Sequence, residues 1–201
     1  MLCYQTGVKW SPLPFLCALA VGCSAAPPVD EPAALTEEPV PAAEVTVPEG
    51  FRKAEVLHVV EVAQGFAVLL AEESHQRVIP IFVGQTEAMA IHLRLQRRRY
   101  ERPLTHDLLD DMLSRLKARV VKVHIDGVKT GVFVGTVFVA TATETLEFDA
   151  RSSDAIALAV GNGIPIFVAD DVFETAGISR EELEQRPLPP EEEGAPFAEP
   201  L

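Results

Sequence analysis

Cysteine is confined to the first 23 of the 201 residues, and the rest of the chain has none. This excludes a disulfide framework, a thiolate metal site and a cysteine nucleophile from residues 24–201. After residue 25 no apolar run reaches the roughly 18–20 residues that a membrane helix needs. The chain also lacks the HExxH, Walker-type phosphate-loop and GxSxG patterns. Zinc protease, nucleoside triphosphatase and serine hydrolase functions are therefore not predicted.

The net charge of −13 is carried mainly by the two ends of the chain. Residues 1–50 hold one Lys and six acids (−5), and residues 181–201 hold one Arg and seven acids (−6). Residues 51–180 hold 15 basic and 17 acidic residues, so their net charge is only −2. The acidic composition therefore does not exclude nucleic acid as a partner of the middle segment.

The N-terminus has the layout of an export signal. Lys9 is followed by an apolar stretch over residues 10–21, and Ala20, Val21 and Gly22 stand directly before Cys23. Small residues before a cysteine resemble a bacterial lipoprotein signal, which implies acylation of Cys23. We expect an exported protein, anchored by lipid in the bacterial envelope. The alternatives are an uncleaved anchor and a wrongly assigned start.

Composition divides the remainder into three parts. Residues 24–50 and 181–201 are rich in Pro, Ala and Glu and have few large apolar side chains. Such segments bury too little surface to offset the entropy of ordering, so we expect a disordered linker and a disordered tail. A single folded domain is predicted between them, over residues 51–180.

Hydrophobic periodicity predicts an α+β fold with a mixed sheet and the order βββ-αα-βββ-α-β-α. Thr105 is the expected N-cap of the second helix, and Ser152 or Ser153 that of the third. Strands are expected over residues 54–63, 66–71, 77–83, 120–125, 132–140, 143–148 and 164–168, and helices over 85–98, from 105 onward, 154–160 and 171–176.

One pentapeptide occurs twice in the predicted domain. The sequence Ile-Pro-Ile-Phe-Val is found at residues 79–83 and again at 164–168. Because Pro cannot donate to a strand ladder, each copy is expected at a sheet edge or at an interruption of the ladder, and the two copies at comparable positions in the sheet. An edge strand near either copy could pair with a second chain and give a homo-oligomer. Internal duplication and chance recurrence both account for the repeat.

Three segments place charged residues at the ends of predicted elements. They are Gly84-Gln85-Thr86-Glu87-Ala88, Thr105-His106-Asp107-Leu108 and Asp149-Ala150-Arg151-Ser152-Ser153-Asp154-Ala155. Each segment alone has an ordinary explanation, because acids in a first helical turn favour the helix dipole and Ser or Thr caps a helix.

Together the segments resemble a known family. VIPIFVGQTEAMAI, RPLTHDLLDDML and FDARSSDAIALAVGNGIPIFVADDVFETAGI resemble the bifunctional nuclease family of bacteria and plants, over about residues 55–178. One departure is Ser152, where the family usually has Pro. The resemblance implies an α+β domain that cleaves both DNA and RNA, with many bacterial members assigned by similarity alone.

Phosphodiester hydrolysis needs an activated nucleophile and a partner for the charge of the transition state. Glu87, Asp107, Asp149 and Asp154 are oxygen ligands of the kind that Mg²⁺ or Mn²⁺ prefers, provided that they converge. His106 is the candidate general acid or base, and Arg151 is the candidate for gripping a phosphate oxygen.

A basic run accompanies the predicted first helix. Such a run suits phosphate contacts without sequence readout, and it equally suits a solvated helix face or contact with anionic lipid. The run consists of Arg94, Arg97, Arg98, Arg99 and Arg102.

The competing hypothesis to a nuclease is a non-catalytic binding module tethered to the envelope, in which the polar residues only cap helices.

The lipid anchor can be tested by metabolic labelling. Cells expressing the protein should incorporate a palmitate analogue into the wild type and not into Cys23→Ala, because Cys23 supplies the thiol that is acylated. In-gel fluorescence after coupling of a dye to the analogue measures the incorporation. Equal labelling of the two proteins would contradict the anchor.

Overall fold

A computed structural model describes residues 46–63, 65–179 and 181–182, which belong to one compact unit. The described chain forms one eight-stranded sheet and four α-helices. The strands are β1 (Phe51–Val62), β2 (Gly65–Glu72), β3 (Arg77–Val83), β4 (Arg119–Lys129), β5 (Val132–Ala140), β6 (Thr145–Arg151), β7 (Ile166–Ala169) and β8 (Ile178–Ser179). The helices are α1 (Gln85–Leu95), α2 (Thr105–Arg115), α3 (Ser152–Asn162) and α4 (Asp170–Ala176).

The sheet is mixed, with the strand order β6-β5-β4-β7-β1-β2-β3-β8. Only β4 and β7 pair in parallel, and every other neighbouring pair is antiparallel. Because side chains alternate between the two faces of a strand, one face collects a continuous apolar layer. The main core packs this layer against residues of α1, α3 and α4, among them Ile91, Ile156 and Phe173.

The α+β class, the mixed sheet and the element order are confirmed, and the short edge strand β8 is added at the end. The expected caps are wrong by one or two positions. Thr105 is the first helical residue, because its neighbour Leu104 is the N-cap of α2. Ser152 and Ser153 lie inside the first turn of α3 and are buried, whereas Arg151 is the N-cap.

The two Ile-Pro-Ile-Phe-Val segments occupy different places in the sheet. The first lies in β3, where Pro80 faces β2 on one side and lies beyond the short pairing of β3 with β8 on the other. The second enters β7, which lies between β4 and β1 in the centre of the sheet. The expectation that the two copies occupy comparable positions in the sheet is therefore wrong. Pro165 is tolerated there because it precedes the first residue of the strand.

A repeat of architecture is nevertheless visible. Each half of the domain runs through a three-strand antiparallel meander directly into a helix, β1-β2-β3 into α1 and β4-β5-β6 into α3. The third residue of each of these helices is an acid, Glu87 in α1 and Asp154 in α3. Equivalent positions of the two halves therefore carry the charged residues.

The expected signal, most of the linker and most of the acidic tail lie outside the described residues, and so does Cys23. None of the helices in the described ranges has the length and apolar character needed to cross a membrane.

A buried arginine joins three of the helices. Arg94 of α1 donates from Nη1 to Oδ1 of Asp107 at 2.6 Å and from Nη2 to Asp110, both on α2. Its Nε donates to the carbonyl of Ala157 in α3 at 2.7 Å. The Arg94 and Asp107 side chains are only 6% and 5% exposed, so these charges depend on each other for solvation.

The end of α3 is shaped around this guanidinium. Asn162 extends the network by donating to Asp110 at 2.8 Å. Gly161 leaves room for Arg94, because a Cβ at residue 161 would overlap the guanidinium nitrogens. The contacts of Arg94 therefore fix the relative positions of α1, α2 and α3.

We expect Arg94→Met to destabilise the domain by about 3–5 kcal/mol, because two carboxylates would remain buried without their cation. The free energy of unfolding, measured by urea denaturation and circular dichroism, tests this. Arg102→Met is the matched control, since Arg102 is exposed and its replacement should change stability by no more than about 0.5 kcal/mol. Equal stabilities of the two variants would refute the structural role of Arg94.

Candidate functional site

The N-termini of α1, α2 and α3 meet beside the end of strand β6. Each helix has an acid at its third residue, Glu87, Asp107 and Asp154 respectively. An acid at this position is favoured because the first backbone N–H groups of a helix are unpaired and carry partial positive charge. In α3, Ser152 takes the first helical position, where Pro is well tolerated, so the departure from the family pattern leaves Asp154 in place.

Arg151 connects two of these N-termini. It is the last residue of β6 and the N-cap of α3. Its Nε and Nη2 donate to the two carboxylate oxygens of Asp154 at 2.7 and 3.0 Å, and its Nη1 donates to Oε1 of Glu87 at 2.9 Å. Gly84 leaves room for the Glu87 carboxylate, because a Cβ at residue 84 would come within 2.6 Å of Oε2 of Glu87.

Two guanidinium hydrogens of Arg151 remain without a described partner. A guanidinium carries five N–H donors, and the bonds to Asp154 and Glu87 use three of them. The two that remain belong to Nη1 and Nη2, and the Arg151 side chain is 64% exposed. Arg151 is thus held in a fixed orientation with two donors available to an oxyanion.

α2 contributes His106 to the same network. Its Nε2 lies 3.2 Å from Oδ1 of Asp154. Since a carboxylate only accepts, His106 donates through Nε2, and Nδ1 is the ring nitrogen left to accept a proton. The His106 side chain is largely buried, with 13% of its surface exposed.

The contact between Asp154 and Arg151 shifts the pKa values of both groups in the direction that favours their charged forms. Burial alone would raise the pKa of Asp154, but hydrogen bonds from Arg151 and His106 outweigh it and hold the pKa below its ordinary value. The hydrogen bond and charge of Asp154, followed by the hydrogen bond of Glu87, raise the pKa of Arg151. Asp154 is therefore ionised and Arg151 is protonated at neutral pH.

The structure brings together four of the six residues singled out from the sequence and separates the other two. Asp107 is buried against α1, where it binds Arg94 and accepts from the backbone N–H of Leu104 at 3.2 Å. Asp149 is exposed and lies beside Thr136 of the neighbouring strand β5. Because the intervening Ala150 packs on the core beneath the helices, Asp149 projects from the opposite face.

The basic run divides in a similar way. Arg94 is buried in its ion pairs, so it is not available to a phosphate as the sequence suggested. Arg97, Arg98 and Arg99 line a cleft of about 370 Å³ beside Gly161 and Gly163, at the C-terminal ends of α1 and α3. Arg102 is exposed in the segment between α1 and α2.

The predicted divalent-metal site does not fit this arrangement. Metal-binding carboxylates must bring oxygens to within about 2–2.6 Å of one ion. Glu87 and Asp154 are both bound to Arg151, while Asp107 and Asp149 lie elsewhere. Among the residues that the structure describes, no group of three or more His, Cys, Asp or Glu side chains has the spacing of a metal site.

Two residues of the site region were not predicted. Asp110 and Asn162 complete the Arg94 network that holds α2 against α3. The signal available in the sequence was the unusual pair Asp110-Asp111 within an apolar helix pattern. Hydrophobic periodicity does not distinguish a buried acid from an exposed acid beside it. The sequence alone therefore could not show which of Asp110 and Asp111 faces the protein.

Comparison with known proteins finds a matching family model and two relatives. Residues 68–181 match the family model described as the bifunctional nuclease domain. Two uncharacterized proteins of Mycobacterium tuberculosis, from the strains CDC 1551 / Oshkosh and ATCC 25618 / H37Rv, are each 37% identical over 120 residues. The aligned region covers 59% of this chain and 71% of each relative. The residues matched by the family model include Glu87, His106, Arg151 and Asp154.

The lowered pKa of Asp154 makes a prediction about pH. Because the folded-state pKa lies below the ordinary value of 3.8, the ionised group stabilises the fold at neutral pH. This contribution should be lost as pH falls from about 3.8 through the folded-state pKa. We therefore expect the stability difference between wild type and Asp154→Asn to shrink across that interval in urea denaturation.

Arg151→Met provides the control for this experiment. Without the guanidinium, Asp154 loses its strongest favourable partner, so the pH dependence of the Asp154→Asn difference should be much smaller in that background. An unchanged pH dependence would show that Arg151 does not cause the lowered pKa.

Proposed function

The chain belongs to the bifunctional nuclease domain family, and from this premise we propose that it hydrolyses phosphodiester bonds of DNA and RNA with low sequence specificity. The observation that carries the proposal is the single hydrogen-bonded network of Glu87, Arg151, Asp154 and His106 at the meeting point of three helix N-termini. The proposed substrate is nucleic acid, bound through its backbone.

Phosphate binding follows from the electrostatics of the site. The two remaining N–H donors of Arg151 suit two oxygens of one phosphate group, which is the bidentate geometry that guanidinium groups favour. The partial positive charges of the helix N-termini add to this attraction. Contacts of this kind carry no base information, so the same site would accept DNA and RNA.

His106 is the proposed general base. Its Nε2 is bound to Asp154, which orients the ring and stabilises the imidazolium that forms when Nδ1 takes a proton from the attacking water. As the water oxygen bonds to phosphorus and the P–O bond to the sugar oxygen breaks, Arg151 would stabilise the negative charge on the phosphoryl oxygens. The leaving sugar oxygen would take its proton from solvent. Glu87 and Asp154 act as positioning residues, because both hold Arg151 in place.

The cleft of Arg97, Arg98 and Arg99 is a proposed second contact with the substrate backbone. It lies about ten residues along α1 from Glu87, which corresponds to roughly 15 Å at 1.5 Å per residue. A strand bound at both places would pass over the helices. Exposed Arg102 is proposed to contribute nonspecific attraction in the same region.

Magnesium or manganese remains a prediction from the sequence, and no step of the proposed chemistry depends on it. We also propose that the chain is exported and attached to a bacterial envelope membrane through lipidated Cys23. In that position the substrate would be nucleic acid outside the cytoplasm.

A non-catalytic binding module is the second candidate function. It is favoured by one observation, that Arg151 is already neutralised by two carboxylates. In that case the site would bind a phosphate group without cleaving it.

Cleavage of labelled single- and double-stranded DNA and RNA by the purified full chain tests the proposal, with Mg²⁺, with Mn²⁺ and with EDTA. His106→Gln should lower the rate by about 10²–10⁴-fold through loss of the base, and Arg151→Met by about 10²–10³-fold. Asp149→Asn is the matched control and should keep full activity, because Asp149 lies on the opposite sheet face.

The outcomes separate the candidates. Activity that survives in EDTA and falls in His106→Gln supports the proposed chemistry, whereas strict dependence on Mg²⁺ or Mn²⁺ supports the metal prediction instead. Cleavage retained in both His106→Gln and Arg151→Met would indicate a contaminating nuclease. Binding of labelled strands without cleavage, lost in Arg151→Met, would identify the binding module.

A further inference from the structure

Helix α2 is oriented with its polar side toward the protein and its apolar side toward solvent. His106, Asp107 and Asp110 point inward to Asp154 and Arg94. Four large apolar side chains of α2 and its C-cap point outward, with exposures of 52% for Leu108, 40% for Leu109, 53% for Met112 and 74% for Leu116. We refer to these four residues as the α2 strip.

This orientation is the reverse of the usual one. A surface helix normally buries its apolar stripe, because each Å² of apolar surface that is removed from water stabilises the fold by roughly 25 cal/mol. Only Leu113, on one flank of α2, packs against the core. The Arg94 network holds the helix in place while the strip remains exposed, and contiguous exposed apolar surface of this kind marks an interaction site.

We propose that the α2 strip is a homodimer interface, in which it packs antiparallel against the same strip of a second copy of the chain. The choice of a second copy rests on charge. Asp111 and Arg115 lie four residues apart along one flank of the strip, and neither makes an ion pair with another residue in the described part of the chain. A two-fold axis brings each of them opposite its complement.

The register of the contact follows from the residue numbers. With the axis beside Met112, Leu109 lies opposite the partner's Leu116, and Asp111 lies within about one residue of the partner's Arg115. The reciprocal pair forms on the other side of the axis. One arrangement therefore satisfies the apolar strip and both charges, which is the self-complementarity that a two-fold interface requires.

The dimer would leave the proposed active site open. His106 is the second residue of α2 and lies about six residues from Met112, or roughly 9 Å along the helix axis. The two copies of His106 would then stand roughly 18 Å apart along the paired helices. The interface does not depend on nuclease activity, so the dimer and the proposed function can fail separately.

Disulfide crosslinking tests the contact directly. In the full chain with Cys3, Cys17 and Cys23 replaced by serine, Met112→Cys should form a covalent dimer under mild oxidation, because the two copies of this residue face each other at the axis. Ser114→Cys is the matched control, since Ser114 is exposed at nearly the same level but on the other side of the helix. It should crosslink at least tenfold less.

Charge exchange supplies a second, independent readout by sedimentation velocity. Asp111→Arg and Arg115→Asp should each weaken dimerisation by about fivefold or more, because like charges then meet across the axis. The double variant should return the dimer dissociation constant toward that of the wild type. A folded variant is verified by its circular dichroism spectrum.

Three results would overturn the proposal. They are a monomer at all concentrations up to about 100 µM, equal crosslinking of Met112→Cys and Ser114→Cys, and no recovery in the double variant. If the chain is monomeric and floats with anionic lipid vesicles in a manner lost in Met112→Glu, the strip is a membrane contact and the dimer is refuted.

Discussion

Burial of the Arg94 charge is the constraint on which the arrangement of helices depends. A guanidinium removed from water must find anionic or carbonyl partners, and here they come from two other helices. Satisfying Arg94 fixes Asp107 on α2, and the residue before it, His106, is thereby placed next to Asp154. The position of His106 is thus a consequence of an ion pair that lies outside the Arg151 network. The sheet provides the apolar surface on which the helices pack, and the Arg94 network fixes the positions of α1, α2 and α3 relative to one another.

The same physical rule acts differently at Arg151. Here the guanidinium is exposed, so water competes with its partners and the two carboxylates contribute little to stability but much to orientation. Three donors are used for positioning and two remain for a ligand. Two arginines with similar partners therefore have opposite uses, and burial is the variable that separates them. A charged side chain can organise a fold where it is buried and bind an anion where it is not.

Much of this could be predicted from the sequence. Alternating and helical periodicities gave the element order, because both patterns reflect burial of one face, which the sheet and α1 and α3 obey. The convergence of Glu87, His106, Arg151 and Asp154 was anticipated only through family resemblance. Asp107 and Asp149 were grouped with them because residue type and proximity to helix ends were the available criteria. Asp149 projects from the opposite face of the sheet because side chains alternate along β6. Asp107 turns toward Arg94, a cation that comes from a different helix. The spacing of Leu108, Leu109, Met112 and Leu116 is typical of an amphipathic helix, but periodicity alone does not indicate that this apolar face is the exposed one.

The attachment of α2 through its polar side has an evolutionary consequence. Since Leu108, Met112 and Leu116 do not pack on the core, substitutions there are less restricted by folding than substitutions at Asp107 and Asp110. Sequence drift can therefore alter that surface in related proteins while the Arg151 network is inherited unchanged. Members of one family can in this way diverge in what they associate with and keep the same Arg151 network, because the α2 strip and His106 lie on opposite sides of the same short helix.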